Sequence, residues 1–484
     1  MTPLDATTVG GSHPHVAVPA YDRTTVTPGI VHFGVGAFHR SHEAMYIDRI
    51  LNAGYTDWGI CGVGVTPYDT AIRDVLREQD YLYTLITVTP DGTAEARVIG
   101  SVVDFLYAPD NPAAALEKLV DPATRIVSLT ITEGGYSIND ATGEFDPHDP
   151  GTLADLAAGD STPKSVLGFI VAALKVRKAM GTPPFTVMSC DNIQGNGGVA
   201  RKAVVAFAER KDPQHAAWIA DNVPFPNSMV DRITPATTDQ TRASVAADYG
   251  ITDAWPIRSE AFEQWVLEDR FSCGRPPLET AGVQIVDDVE PYELMKLRLL
   301  NASHQAMSYL GLLAGATYVH EVCRDPLFVN FLLGYMHKEA IPTLRPVPGI
   351  DLSAYCDQLI ARFGGEVIQD TLARQVIDGS DRIPKFLLPV VAEQLAHGRD
   401  IGCCALVLAA WSHFLGGATK VAPVDKRLAE LQSAVADERH HPGAFLSYRP
   451  VFGDLGSHPI LKAAFVEARA AIGQDGARAA IAAL

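Results

Sequence analysis

Hydrophobic positions recur with two different periods along this 484-residue chain, and the change falls near residue 285. Before it, short apolar runs alternate with helix-length stretches. Residues 30–33 form one such run, followed by Gly34-Val35-Gly36 and a helix-like stretch through His42, Ala44, Met45, Ile47 and Ile50-Leu51. Residues 58–65, 81–88, 96–101, 126–132 and 185–189 are further strand candidates, with helices at 113–119 and 165–180 between them. Alternation of this kind predicts a mostly parallel sheet with helices packed on it.

Past residue 285 strand signals nearly vanish. Residues 293–313, 326–337, 354–363, 386–397, 403–415, 424–436 and 461–471 carry apolar side chains at helical spacing. The pattern predicts an α/β fold with a Rossmann-type N-terminal domain over residues 1–285 and a mainly α-helical domain over 286–484. No internal repeat and no low-complexity segment interrupts it.

Charge and cysteine usage narrow the function. A formal net charge of -18 argues against a nucleic-acid partner, because phosphate contacts need a basic face. Seven scattered cysteines (61, 190, 273, 323, 356, 403 and 404) include no CxxC pair, which points to reduced thiols rather than a disulfide framework or a zinc site. No signal peptide and no membrane-length apolar run are visible, so a cytoplasmic protein without a membrane partner is expected.

The glycine turn after residues 30–33 carries the first chemistry. Gly34 permits a tight turn, and Gly36 lets backbone approach a pyrophosphate at a helix N-terminus. Gly34, Val35, Gly36, Ala37, Phe38 and His39 are thus candidate cofactor contacts, although His39 stands where a third glycine is usual and the helix must pack differently there. Asp69, after the second strand, matches the acid that binds the adenosine ribose; it would repel a 2′-phosphate and favours NAD over NADP. Glu133-Gly134-Gly135-Tyr136 and Ser189-Cys190-Asp191-Asn192 follow two other strands, where open α/β sheets bind ligands. The 225–235 segment holds an Asp231–Arg232 pair that fits either a loop salt bridge or a hydroxyl-binding site.

The second cluster lies on one predicted helix. With Lys296 as zero and about 100° per residue, Glu293 falls near 60°, His304 near 80° and Asn301 near 140°. Lysine and histidine are unfavourable inside a protein unless paired or used, so the shared face is a candidate catalytic centre as well as a possible solvated stripe.

These segments together resemble the long-chain polyol dehydrogenases of the mannitol dehydrogenase family. The resemblance is carried by Gly34-Val-Gly-Ala-Phe-His-Arg-Ser-His42, Thr132-Glu-Gly-Gly-Tyr136, Ser189-Cys-Asp-Asn192, Pro226-Asn-Ser-Met-Val-Asp-Arg-Ile-Thr-Pro235 and Lys296-Leu-Arg-Leu-Leu-Asn-Ala-Ser-His304, in order along almost the whole chain. It implies metal-independent, NAD(P)-dependent oxidation of a polyol to a ketose by a monomer, with catalysis between the two domains. It also implies roles: Lys296 as general base, Asn192 and Asn301 on the reacting oxygen, His304 on the substrate and Glu293 beside the proton's route to water. Val230, Asp231, Arg374 and either Arg382 or Lys385 would contact substrate.

The implied chemistry is coherent. A lysine that titrates near pH 10 in water must be desolvated or set beside positive charge to act as a base near neutrality. D-mannitol is the first substrate expected, then D-arabinitol or sorbitol. A hexuronate reductase acting on fructuronate or tagaturonate shares these blocks and would want an added cationic clamp. Outside catalysis, the alternative is a nucleotide-binding sensor, against which intact Lys296, Asn301 and His304 argue.

Overall fold

The computed structural model describes every residue except 1, 12–14, 140–141, 160–161, 367–368 and 439. It divides into two compact units, residues Met1–Thr89 with Thr93–Val289, and Pro90–Gly92 with Glu290–Leu484.

The first unit is built on five parallel strands: β1 (Pro28–Phe33), β2 (Gly59–Gly64), β3 (Val102–Tyr107), β4 (Ile126–Leu129) and β5 (Thr186–Ser189). Their spatial order is β3-β2-β1-β4-β5. This is the Rossmann order, and it reverses direction between β1 and β4, where such sheets bind ligands. Both faces are covered, so side chains of both parities are apolar. Val31, Phe33, Val127 and Leu129 enter one core, and Ile30, Ile60, Val102 and Ile126 enter the other. The helix Val166–Met180 closes the first of these with an N-cap from Ser165, whose Oγ accepts the Gly168 N–H, and ends at Gly181 in the left-handed region.

Two expectations need correction. The 81–88 and 96–101 candidates are strands (Tyr83–Val88 and Ala94–Ile99), but they pair antiparallel with each other in a separate four-stranded sheet. Only five residues, 89–93, join them, which is hairpin length and too short for a parallel crossover. The neighbour of β2 is β3, a segment for which the sequence carried no strand prediction. The helix after the glycine turn is also two pieces, Ala37–Ser41 and Glu43–Asn52, broken at His42 (φ -116°, ψ -93°).

The second unit is helical, and its regular elements include no strand among the described residues. Gly402–Leu415 packs against Pro459–Ala482 and Ala302–Leu313, burying Trp411, Tyr309 and Phe414. The run that carries Lys296 is not one uniform α-helix. Glu290–Met295 is α-helical, Lys296–Asn301 is π-helical, and Ala302–Leu313 is α-helical again. A second π segment, Tyr335–Ala340, continues Pro326–Gly334.

Candidate active site

In the first unit the glycine turn sits at the reversal point of the sheet. Gly34 has φ +95°, and a Cβ there would lie 2.1 Å from the Thr130 carbonyl oxygen on the neighbouring strand's exit. Only glycine meets both demands. Around Gly36 the nearest atom to a built Cβ is the Gly34 carbonyl oxygen at 3.7 Å, so its backbone is open to approach. The Gly36 N–H closes the turn by donating to the Gly34 carbonyl at 2.6 Å, the first N–H groups of the helix Ala37–Ser41 follow directly, and the site fits a dinucleotide pyrophosphate.

Beneath the turn, His32 links the two strands. Its Nδ1 lies 2.8 Å from Ser128 Oγ, its Nε2 lies 2.9 Å from Thr130 Oγ1, and the Thr130 hydroxyl donates to the Gly34 carbonyl at 2.6 Å. His39 is fully buried with its ring stacked on His32 at 3.5 Å, and Glu43 approaches both imidazoles, at 3.2 Å from His32 and 3.9 Å from His39. Burial drives the His39 pKa well below the usual value. The His39 side chain thus packs in the core, which leaves its backbone to meet a cofactor. His32, His39 and Glu43 have a spacing that could hold a metal ion, but both His32 nitrogens already face hydroxyls.

Asp69 begins the helix Asp69–Glu78, and its Oδ2 accepts from Val65 N, Thr66 N and Thr66 Oγ1 at 2.8–3.0 Å. The carboxylate thereby orders the β2 exit. Gly64 makes room for it, since a Cβ there would meet Asp69 Cβ at 2.5 Å.

The loops after β4 and β5 are joined by a residue that sequence reasoning quoted but gave no role. Asp191 is buried, and its carboxylate accepts from Ile131 N (3.0 Å), Thr132 N (2.8 Å) and Tyr136 Oη (2.6 Å). Burial raises its pKa, although these donors oppose the shift. Thr132 is held at φ +63°, a strained position for a β-branched residue, and exposed Glu133 follows it. On the other side, buried Asn196 donates to the carbonyls of Ser189, Asp191 and Ser228. Exposed Asn192 therefore stands on a loop pinned at both flanks. Val230 and Asp231 lie in the buried strand Ser228–Asp231 of a three-stranded sheet.

In the second unit Glu293, Lys296, Asn301 and His304 are all buried, with 6–8% of each exposed. The solvated-stripe reading is thereby excluded. The uniform 100° reckoning also fails, because the Ala302 N–H reaches the Leu297 carbonyl, five residues back. The wider π turn advances each residue by less than an α turn, drawing Asn301 round towards the face of Lys296. Nothing in the residue pattern marks such a turn.

His304 packs on Phe363 at 4.8 Å, and its Nε2 is buried with no hydrogen-bond partner among the described residues. Burial lowers its pKa to about 4, with Arg374, Arg362 and Arg382 acting in the same direction and Asp370 against them. A neutral imidazole with an unused nitrogen is suited to a hydroxyl ligand. Arg374 is exposed and makes a two-pronged pair with Asp370, at 2.7 Å for each bond, which an Asp–Arg spacing of four would have revealed. Arg382 donates to the Gln375 carbonyl at 3.2 Å, and partly exposed Lys385 lies one turn further along the helix Gly379–Phe386.

Comparison with known proteins agrees with this architecture. Residues 28–280 match the mannitol dehydrogenase Rossmann domain and residues 288–472 the mannitol dehydrogenase C-terminal domain. A mannitol 2-dehydrogenase of Phaeosphaeria nodorum is 46% identical over 97% of this chain and 83% of its own length. The solved Pseudomonas fluorescens mannitol 2-dehydrogenase, in ternary complex with NAD and D-mannitol, is 45% identical, with TM-score 0.89 over 100% of this chain and 99% of that one. A D-sorbitol dehydrogenase solved in substrate-free form is 37% identical, with TM-score 0.92 over 99% of this chain and 100% of that one.

Proposed function

The chain belongs to the mannitol dehydrogenase family, and we propose that it oxidises D-mannitol to D-fructose with NAD, using Lys296 as the general base. The observation that carries the reading is the buried set of Glu293, Lys296, Asn301 and His304 on one helical run, in a chain whose other unit has a dinucleotide-type glycine turn.

NAD, when bound, supplies the acceptor for the hydride that leaves the alcohol carbon. The Gly34–Val35–Gly36 turn would bring the backbone N–H groups of Ala37, Phe38 and His39 to its pyrophosphate. Asp69 would face the adenosine ribose and disfavour a 2′-phosphate, and Glu133, on the loop after β4, is proposed as a further cofactor contact. Lys296 takes the hydroxyl proton. Desolvation favours the neutral amine that this task requires, and Lys296 is 6% exposed. The amide N–H groups of Asn192 and Asn301 stabilise the charge that develops on the oxygen. His304 Nε2 bonds a substrate hydroxyl, and Glu293 borders the proton's route to water. Val230, Asp231, Arg374, Arg382 and Lys385 are proposed as outer substrate contacts.

Sorbitol is the second substrate, favoured by the 37% identical D-sorbitol dehydrogenase, and D-arabinitol the third. The Arg374 guanidinium already pairs with Asp370, which argues against a carboxylate clamp for hexuronates. All seven cysteines are free, which fits a reducing compartment, and we place the protein in the cytoplasm as a monomer. No helix among the described residues is long and apolar enough to cross a membrane.

The test is NADH formation with mannitol, sorbitol, arabinitol and the hexuronates, repeated with NADP. Mannitol with NAD should give the highest kcat/KM. A higher value for another substrate would reassign specificity, and NAD binding without reduction on any of them would leave only a sensor.

A further inference from the structure

The π turn that carries Lys296 and Asn301 is held open from outside. In an α-helix the Ala302 N–H would bond the Arg298 carbonyl; here it bonds that of Leu297 instead. The Tyr335 hydroxyl donates to the Arg298 carbonyl, at 2.8 Å. Tyr335 is fully buried, at the point where Pro326–Gly334 passes into the second π segment. The Arg298 side chain is fixed as well. Its Nη1 donates to the Thr343 carbonyl at 2.6 Å and its Nη2 lies 3.0 Å from Glu393 Oε1. One residue inside the π turn is thus gripped at its backbone by Tyr335 and at its guanidinium by Thr343 and Glu393.

We propose that Tyr335 and Arg298 are positioning residues for catalysis: they hold the π turn that sets Lys296 and Asn301 on a common face. The inference rests on the reading of Lys296 as the base. Without the Tyr335 hydroxyl, the Arg298 carbonyl would compete for the Ala302 N–H, and the run would relax towards i→i+4 pairing. Asn301 would then turn away from Lys296 by about a quarter of a turn, and the oxygen and its proton could not be served together. π bulges recur at functional sites because the extra residue re-aims side chains that a regular helix would disperse.

The experiment is a double-mutant cycle on the full chain. NADH formation from mannitol is measured for wild type, Tyr335→Phe, Lys296→Ala and the double variant, at an alkaline pH where solvent base keeps the slowest rates measurable. The dissociation constant for NAD and the melting temperature serve as folding controls. Tyr335→Phe should lower kcat about tenfold with NAD affinity within twofold of wild type, and should cause no more than a twofold further loss on Lys296→Ala, because what it secures is the joint action of Lys296 and Asn301, which that variant has already removed. The proposal is overturned if Tyr335→Phe stays within twofold of wild type, or if it loses the same factor in both backgrounds. Wild-type turnover by Lys296→Ala alone would instead remove the base assignment itself. Should Tyr335→Phe not fold, Glu393→Gln loosens the same grip from its half-exposed end. A loss of a few-fold, suppressed on Lys296→Ala, supports the proposal, and an unchanged kcat overturns it.

Discussion

The two units carry function in opposite ways. In the first, the candidate groups stand at strand exits, and much of what they offer is backbone: the Gly34–Gly36 turn, with exposed Glu133 and Asn192 on the neighbouring loops. In the second, they are side chains buried along one helical run, and the backbone's part is to aim them. Binding a dinucleotide needs many N–H donors at a rigid edge, which a parallel sheet provides wherever strands end. Moving a proton needs one amine in a dry, fixed place, which a helix core provides and a loop does not.

The contrast breaks most sharply at the glycine turn. Gly34→Ala puts a methyl group against the Thr130 carbonyl and demands φ +95° of an alanine, so the turn must move. NAD affinity should fall by about 100-fold or more, as measured by fluorescence titration, with the second unit's melting behaviour unchanged. A dissociation constant within threefold of wild type would show that the cofactor does not rest on this turn.

Asp191→Ala sharpens the same side. It leaves the Ile131 and Thr132 N–H groups and the Tyr136 hydroxyl without their acceptor, each worth about 1–3 kcal/mol when buried. Thr132 should leave its strained conformation, carrying Glu133 with it, and NADH formation should fall at least tenfold while the melting temperature drops. Unchanged kinetics at a lower melting temperature would make Asp191 a purely structural residue.

The last test concerns the buried imidazole and reads stability rather than turnover. The His304 pKa falls from 6.5 to about 4 in the folded state, so its contribution is present above pH 6.5 and is lost as pH falls towards 4. The loss is roughly 3 kcal/mol. Denaturation of wild type and His304→Gln at pH 7 and pH 4 should show the wild type losing that much more. Equal losses would mean that His304 is not held neutral by burial.

These regions also differ in how far they could be read from residues. The glycine turn was legible because φ +95° and the Thr130 contact admit only glycine, so the constraint is written in the residue itself. The helical cluster was legible as a set of polar residues among apolar ones. Its geometry was not, since the π turn depends on Tyr335, 37 residues away from Arg298 in sequence, and no local pattern encodes that. The antiparallel pairing of Tyr83–Val88 with Ala94–Ile99 was missed for a simpler reason: each strand was read by itself, without the length of the loop between them. His39 resembled a turn residue in sequence, yet its ring stacks on His32, a contact that only the fold creates.

The central claim is that Lys296 removes the hydroxyl proton, and chemical rescue of Lys296→Ala tests it most directly. With saturating NAD and mannitol, Lys296→Ala should turn over about 10²–10⁴ times more slowly than wild type. Small primary amines added to the medium should restore NADH formation in proportion to their free-base concentration, and should do nothing for Asn301→Ala. Turnover near that of wild type in the unrescued variant would contradict the account.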